Sequence, residues 1–262
     1  MPLIHHVIAG NGLTPIVFVH GFACGLSDWD AQVAHFSPRH QTVAVDLRGH
    51  GASPGSAADC SIERYGADVA EVMRALNLPP AVVVGHSLGC RVAIEAALQA
   101  PEHTKAVVLV DGSRFAPGMG PSLRAAFAQP NGFATMQQGQ FKAMFTAKSD
   151  PAVIEAVVQR AIRLPREVGE KMMTNLQRYD EYRLVASLRS LTVPVMAIQT
   201  TATNAQRQRS SLQPGQSSPY LDLLRTEIPG VRIEIVADTG HFPQLDEPER
   251  TNALLDSFLR AI

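Results

Sequence analysis

Five short runs rich in Val and Ile lack the polar and apolar alternation of a half-buried strand: PIVFVHG (15–21), QTVAVD (41–46), AVVVGHS (81–87), KAVVLVDG (105–112) and VPVMAIQ (193–199). A strand that reads this way is covered on both faces, which places it in a parallel sheet between two layers of helix. LIHHVIAG (3–10) and VRIEIVADTG (231–240) read as further strands. Between these runs lie segments with helical spacing, at 26–36, 61–77, 88–100, 219–228 and 247–262. Alternation of strand and helix predicts an α/β fold with a mostly parallel, doubly wound sheet of about 7–8 strands. Asp246-Glu247-Pro248-Glu249 reads as the start of the last helix, with Asp246 as an acidic cap and Pro in the first turn.

The rhythm breaks at 113–190, which has no strand-like run but carries helical spacing at 133–145, 151–163 and 167–179. The expected organisation is a core made of 1–112 and 191–262, with 113–190 inserted as a helical unit. The insertion holds five of the eight Met and five of the ten Phe, with 11 Lys or Arg against 6 Asp or Glu. Such a Met and Phe stripe reads either as plain core or as a pliable apolar wall over a site.

Composition narrows the function. Formal net charge is −1 and no block of like charge reaches five residues, so no nucleic-acid groove or polybasic membrane surface is expected, and small-molecule chemistry is. The opening MPLIHHVIAG lacks a basic region followed by an apolar run, and no stretch approaches the ~18 apolar residues of a membrane span, which predicts a cytoplasmic protein. Cys24, Cys60 and Cys90 form no CxxC pair and are read as buried or incidental thiols, so no metal site is expected. Oligomeric state is not readable.

The stretch AVVVGHSLG sets Gly85-His86-Ser87-Leu88-Gly89 between an apolar strand and an amphipathic helix. A serine on so sharp a turn is held in a strained conformation with its hydroxyl exposed at the carboxyl end of the sheet, and flanking glycines avoid collisions. Ser87 is therefore the candidate nucleophile, and the amide of Leu88, at the positive end of the following helix, a candidate oxyanion donor. FVHGFACG ends another strand, and the amide of Phe22 is the natural second donor; His20 reads as shaping that turn and Cys24 as lining a pocket without reacting.

Taken together in order and spacing, HGFACG, DLRGHGASP (46–54), GHSLG and GHFPQLDEPE (240–249) resemble the α/β-hydrolase family, nearest its serine esterase and lipase-like members. The resemblance covers about His20 to the C-terminus and implies an eight-stranded sheet with a shortened first strand, a helical cap at 113–190, a structural turn at Asp46, Arg48, Gly49 and Gly51, and no cofactor. It also marks His241 as the catalytic base, a late histidine that follows a strand and precedes a helix in the order Ser, acid, His.

The acid is the puzzle. Residues 182–221 hold no Asp and no Glu, although these make up 24 of the 262 residues, and the loop after VPVMAIQ is where most of the family carries its carboxylate. Asp111, at the end of KAVVLVDG, is the expected substitute because by sheet order it emerges beside Ser87; Asp222 and Asp238 are the alternatives. Trp29, His86, Met144 and Phe242 are expected to touch substrate. The expected activity is hydrolysis of small to medium, moderately hydrophobic carboxylic esters, lactones or amides through an acyl-Ser87 intermediate. A carbon-carbon bond hydrolase or a cofactor-free haloperoxidase-like enzyme fits the same triad, and a non-catalytic small-ligand-binding protein fits the acid-free loop. A dehalogenase or epoxide hydrolase would need a carboxylate where Ser87 stands.

Overall fold

The computed structural model describes residues 3–12, 14–129, 131–204 and 208–262, with only the backbone of Met136. The middle of the acid-free loop, 205–207, lies outside the described residues.

The chain begins with β1 (His6–Ala9), β2 (Ile16–Val19), α1 (Asp30–Phe36), β3 (Thr42–Val45), α2 (Ile62–Ala75), β4 (Ala81–His86), α3 (Leu88–Gln99) and β5 (Thr104–Val110). Five helices follow without an intervening strand: α4 (Gly120–Phe127), α5 (Gly132–Lys142), α6 (Pro151–Ile162), α7 (Arg166–Tyr182) and α8 (Leu184–Arg189). The chain then returns through β6 (Val195–Gln199), β7 (Thr201–Thr203), β8 (Arg209–Ser211), α9 (Pro219–Glu227), β9 (Arg232–Ile235), α10 (Pro243–Asp246) and α11 (Pro248–Leu259). No described helix is long and apolar enough to cross a membrane.

Seven strands form one sheet in the order β1-β3-β2-β4-β5-β6-β9, parallel except for β1, which pairs antiparallel with β3 at one edge. The eighth strand that the resemblance implied is not present among the described residues. Every residue of β2, β3, β4 and β6 is buried, which is why their sequences do not alternate. Successive residues still serve opposite faces. Val17, Val19, Val83, Val107 and Leu109 meet the side carrying α2, α3, α9 and the five helices between β5 and β6. Phe18, Val82, Val84, Val108 and Ile198 meet the side carrying α1 and α11. Most of the Met and Phe stripe is core: Phe127, Phe133, Met172 and Met173 are buried in the first of these clusters.

Trp29 corrects one expectation. It is fully buried in the second cluster, its ring 5.1 Å from that of Phe18, so it fills core on the α1 side and is not among the residues lining the cavity beside Ser87. Asp246 corrects another. It closes α10, while Glu247 stands at the start of α11 without a side-chain cap, and the Asp246 carboxylate accepts from Ser149 Oγ at 3.0 Å, tying the segment before α6 to the α10 end.

Two buried ion pairs fasten helices to their neighbours. Arg48 grips Asp68 of α2 at 2.6 and 2.9 Å, and Arg91 of α3 grips Asp180 of α7 at 2.7 and 2.9 Å. Arg91 also donates to the carbonyls of Ser87 and Ser113, and Asp180 accepts from the Phe115 amide, so this pair joins the β4 turn, the start of the insertion and α7. In the DLRGHG turn, the Asp46 carboxylate accepts the Leu26 and Ala52 amides at 2.9 and 3.0 Å.

Candidate active site

β4, β5 and β9 run parallel, so the loops after their carboxyl ends lie along one rim of the sheet. Ser87 follows β4 with φ 55 and ψ −113, a conformation that exposes its side chain at the head of α3. Glycine is obligatory on both sides of the turn: a Cβ at Gly85 would stand 2.1 Å from the Gly89 carbonyl oxygen, and one at Gly89 2.5 Å from that of Val19. Asp111 follows β5, also left-handed at φ 42, a region that Asp tolerates better than most residues. His241 follows β9.

These three side chains meet. His241 Nε2 lies 2.9 Å from Ser87 Oγ, and His241 Nδ1 lies 2.6 Å from Asp111 Oδ2. A carboxylate can only accept, so Nδ1 carries the proton and Nε2 of the neutral ring faces the serine hydroxyl with its lone pair. Asp222 instead pairs with Arg225 at the surface, and Asp238 accepts from Gln213, so neither reaches His241.

Asp111 is fully buried and saturated with donors. Its Oδ1 accepts the Thr200 and Thr201 amides at 2.9 and 2.8 Å, and its Oδ2 receives Thr201 Oγ1 at 2.6 Å and Arg209 Nη1 at 3.2 Å beside the imidazole. Burial pushes this carboxyl up, but the His241 hydrogen bond and the charges of His241 and Arg209 outweigh it and hold the group at about 2. Burial, aided by the Arg209 charge, lowers His241 to about 4 against the pull of Asp111.

The acid-free loop is thus wrapped around Asp111. It folds into a two-stranded hairpin, with β7 pairing β8 antiparallel and Thr203 opposite Arg209. Sequence reasoning did not find Thr200, Thr201 or Arg209. The available signal was chemical: a loop without acids, rich in hydroxyls and carrying arginine, suits a carboxylate that comes from elsewhere.

The His241 loop is pinned from three sides. Gly240 O accepts Thr200 Oγ1 at 2.7 Å, His241 N donates to Met144 O at 2.7 Å, and His241 O accepts from His86 Nε2 at 2.7 Å. Because that carbonyl only accepts, Nε2 of His86 bears hydrogen; burial, and then the nearby His241, lower His86 to about 3 and keep it neutral. A cavity of about 20 Å³ adjoins Ser87, lined by Phe22, Cys24, His86, Phe141, Met144 and Phe242. Phe22, His86, Met144 and Phe242 line this cavity, whereas Trp29 lies across the sheet. Leu88 is the first residue of α3, so its amide has no partner within the helix and points with the helix dipole toward Ser87. Gly21 packs so closely that a Cβ there would come within 3.1 Å of Ser87 Cβ, and Phe22 is the next residue in the chain. His20 bridges the Gly21 carbonyl and the Leu47 amide at 2.7 and 3.0 Å, the turn-shaping part expected of it. No group of three or more His, Cys, Asp or Glu among the described residues is arranged to hold a metal ion.

Comparison with known proteins follows the same line. The sequence pattern of a family described as the alpha/beta hydrolase family matches residues 16–254. The pimeloyl-[acyl-carrier protein] methyl ester esterase of Nitrosomonas europaea is 29% identical over 98% of this chain and 100% of its own length. The dihydrolipoyllysine-residue acetyltransferase component of the acetoin cleaving system of Cupriavidus necator is 25% identical over 98% of this chain, which spans 66% of that relative's length. Among solved structures, the enol-lactonase from Burkholderia xenovorans LB400 shares the fold with a TM-score of 0.79 at 21% identity, covering 98% of this chain and 96% of that one.

Proposed function

The chain belongs to the alpha/beta hydrolase family, and from that premise we propose that it is a serine hydrolase cleaving carboxylic esters, lactones or amides of small to medium, moderately hydrophobic substrates. The observation that carries this reading is the unbroken chain from Ser87 Oγ through His241 to Asp111, at 2.9 and 2.6 Å. Neutral His241 takes the Ser87 proton as the hydroxyl attacks the acyl carbon. Asp111 holds the ring in the required tautomer and offsets the imidazolium charge that forms. The amides of Phe22 and Leu88 receive the oxyanion. His241 then returns its proton to the leaving group, and water, activated by the same imidazole, releases the acid from the acyl-Ser87 ester.

Residues 113–190 serve in this reading as a helical cap, and Phe141 and Met144 carry it to the cavity wall. A wall of aromatic and thioether side chains favours an apolar group next to the scissile carbonyl. No cofactor takes part, and the protein acts in the cytoplasm. The rival reading, a binding protein without turnover, rested on the acid-free loop, and the carboxylate 2.6 Å from His241 weighs against it.

The test is incubation with an aryl ester and with an organophosphonate, followed by intact-protein mass and peptide mapping. We expect ester turnover and a single phosphonyl adduct on Ser87, both abolished by Ser87→Ala. Neither turnover nor adduct in the wild-type protein sinks the proposal.

A further inference from the structure

We propose that Arg209 is a positioning residue of this site, acting through Asp111 and Thr201 to set the proton affinity of His241. The assignment rests on the triad reading above, but its geometry stands by itself.

Arg209 lies on β8, within the loop where most relatives by resemblance would carry their acid, and its side chain is mostly buried. Nη1 contacts Asp111 Oδ2 at 3.2 Å and Thr201 Oγ1 at 2.5 Å. The hydroxyl of Thr201 has one hydrogen, which goes to the acceptor-only Asp111 Oδ2 at 2.6 Å, so Thr201 accepts from the guanidinium. A relay runs from guanidinium through hydroxyl to carboxylate, and it ends on the oxygen that His241 uses. Three donors converge on that one oxygen.

The consequence follows from charge. Without Arg209, the full carboxylate charge of Asp111 would favour protonated His241. With a fixed cation beside it, part of that charge is already compensated, and the cation also repels the imidazolium directly. The ring stays neutral, and thus competent to take the serine proton, further into acid. The other ionisable groups facing His241 do not substitute for this effect. His86 on β4, with ring centroids 4.7 Å apart, is kept neutral by burial. Arg91 on α3 is paired with Asp180 of α7, and its charge lowers His241 as well, but by less than that of Arg209. Burial raises the Cys90 thiol on α3 to about 12, so it too is uncharged. The directions of the shifts agree: Arg209 is the second cause, after burial, of the lowered His241 value.

The experiment is an NMR titration of the His241 ring in protein carrying ¹⁵N-histidine, comparing wild type, Arg209→Met, Arg209→Gln and Arg209→Lys. It needs no turnover, so an inactive wild type would overturn the hydrolase reading while leaving this one to be decided by the titration. Met and Gln, which remove the charge, are expected to raise the His241 pKa by about one unit or more, the size of effect of a single charge at such distances; Lys is expected to keep it near wild type. Should Arg209→Met fail to fold, the closer-sized Gln variant reads the same quantity. If the acid limb of kcat/KM for an aryl ester moves upward in step with the ring, the effect reaches the chemistry. A folded Met or Gln variant whose His241 titrates as in wild type overturns the assignment, as does a Lys variant shifted as far as Met.

Discussion

Asp111 and His241 are separated by 130 residues in the chain, and their side chains meet at 2.6 Å. Sheet order brings them together: β5 pairs β6 and β6 pairs β9, all parallel, so the loops after β5 and β9 open on one rim. Replacing the acid by its amide leaves the shape but lets the imidazole adopt the wrong tautomer. Asp111→Asn is expected to lower kcat for an aryl ester by about 10³- to 10⁴-fold. Asp222→Asn and Asp238→Asn, at exposed positions bound to Arg225 and Gln213, are expected to stay near wild type. Near-normal turnover by Asp111→Asn, with a large loss in either of the other two, would move the acid elsewhere.

The pH dependence has a definite sign. In the proposed mechanism only neutral His241 takes the serine proton, and its folded value is lowered from the ordinary 6.5 to about 4. Activity therefore stays on its plateau through weak acid and is lost as pH falls through about 4. The measurement is the pH profile of kcat/KM, which reports ionisations of the free enzyme. An acid limb centred near 6.5 would contradict the account of how burial and Arg209 act on this ring.

Gly240 tests how tightly the His241 loop is clamped. A Cβ there would stand 2.5 Å from the Met144 carbonyl oxygen, the group that accepts the His241 amide. That oxygen is backbone and cannot swing aside, so Gly240→Ala must push the histidine loop away from the insertion. Displacement of about 1 Å at a catalytic group costs on the order of 10²-fold in rate. We expect kcat to fall by that order while the circular dichroism spectrum is kept; unchanged kcat would show that the Met144 contact does not place His241.

Asp180 offers a stability test. Its carboxylate is fully buried against Arg91 and also accepts the Phe115 amide. Removing one partner strands the other charge without solvent, so Asp180→Ala is expected to cost about 3–5 kcal/mol of unfolding free energy. Urea denaturation of the variant beside wild type measures it. A loss of less than about 1 kcal/mol would mean that water or another group compensates Arg91.

Much of this protein is written in consecutive residues. The five uninterrupted apolar runs specify two-sided burial wherever the strands end up, and all five became strands of one sheet. The turn at Ser87 was legible in part for the same reason: Gly85 is needed by local sterics against the Gly89 carbonyl, whereas Gly89 is required by the distant Val19 carbonyl. Other features had no local signature. Trp29 could face either layer, because its helical spacing says only that it is buried, and which core receives it depends on how α1 docks. Asp246 looked like a cap from its neighbours, yet its partner, Ser149, lies 97 residues away. The meeting of Asp111 with His241, and the convergence of Thr201 and Arg209 on the same carboxylate, required the parallel order of β5, β6 and β9 and the β7 to β8 hairpin. Local periodicity and sterics act between near neighbours and can be read along the chain. A charge network is set by distances of a few ångströms between groups that only the packed sheet brings together.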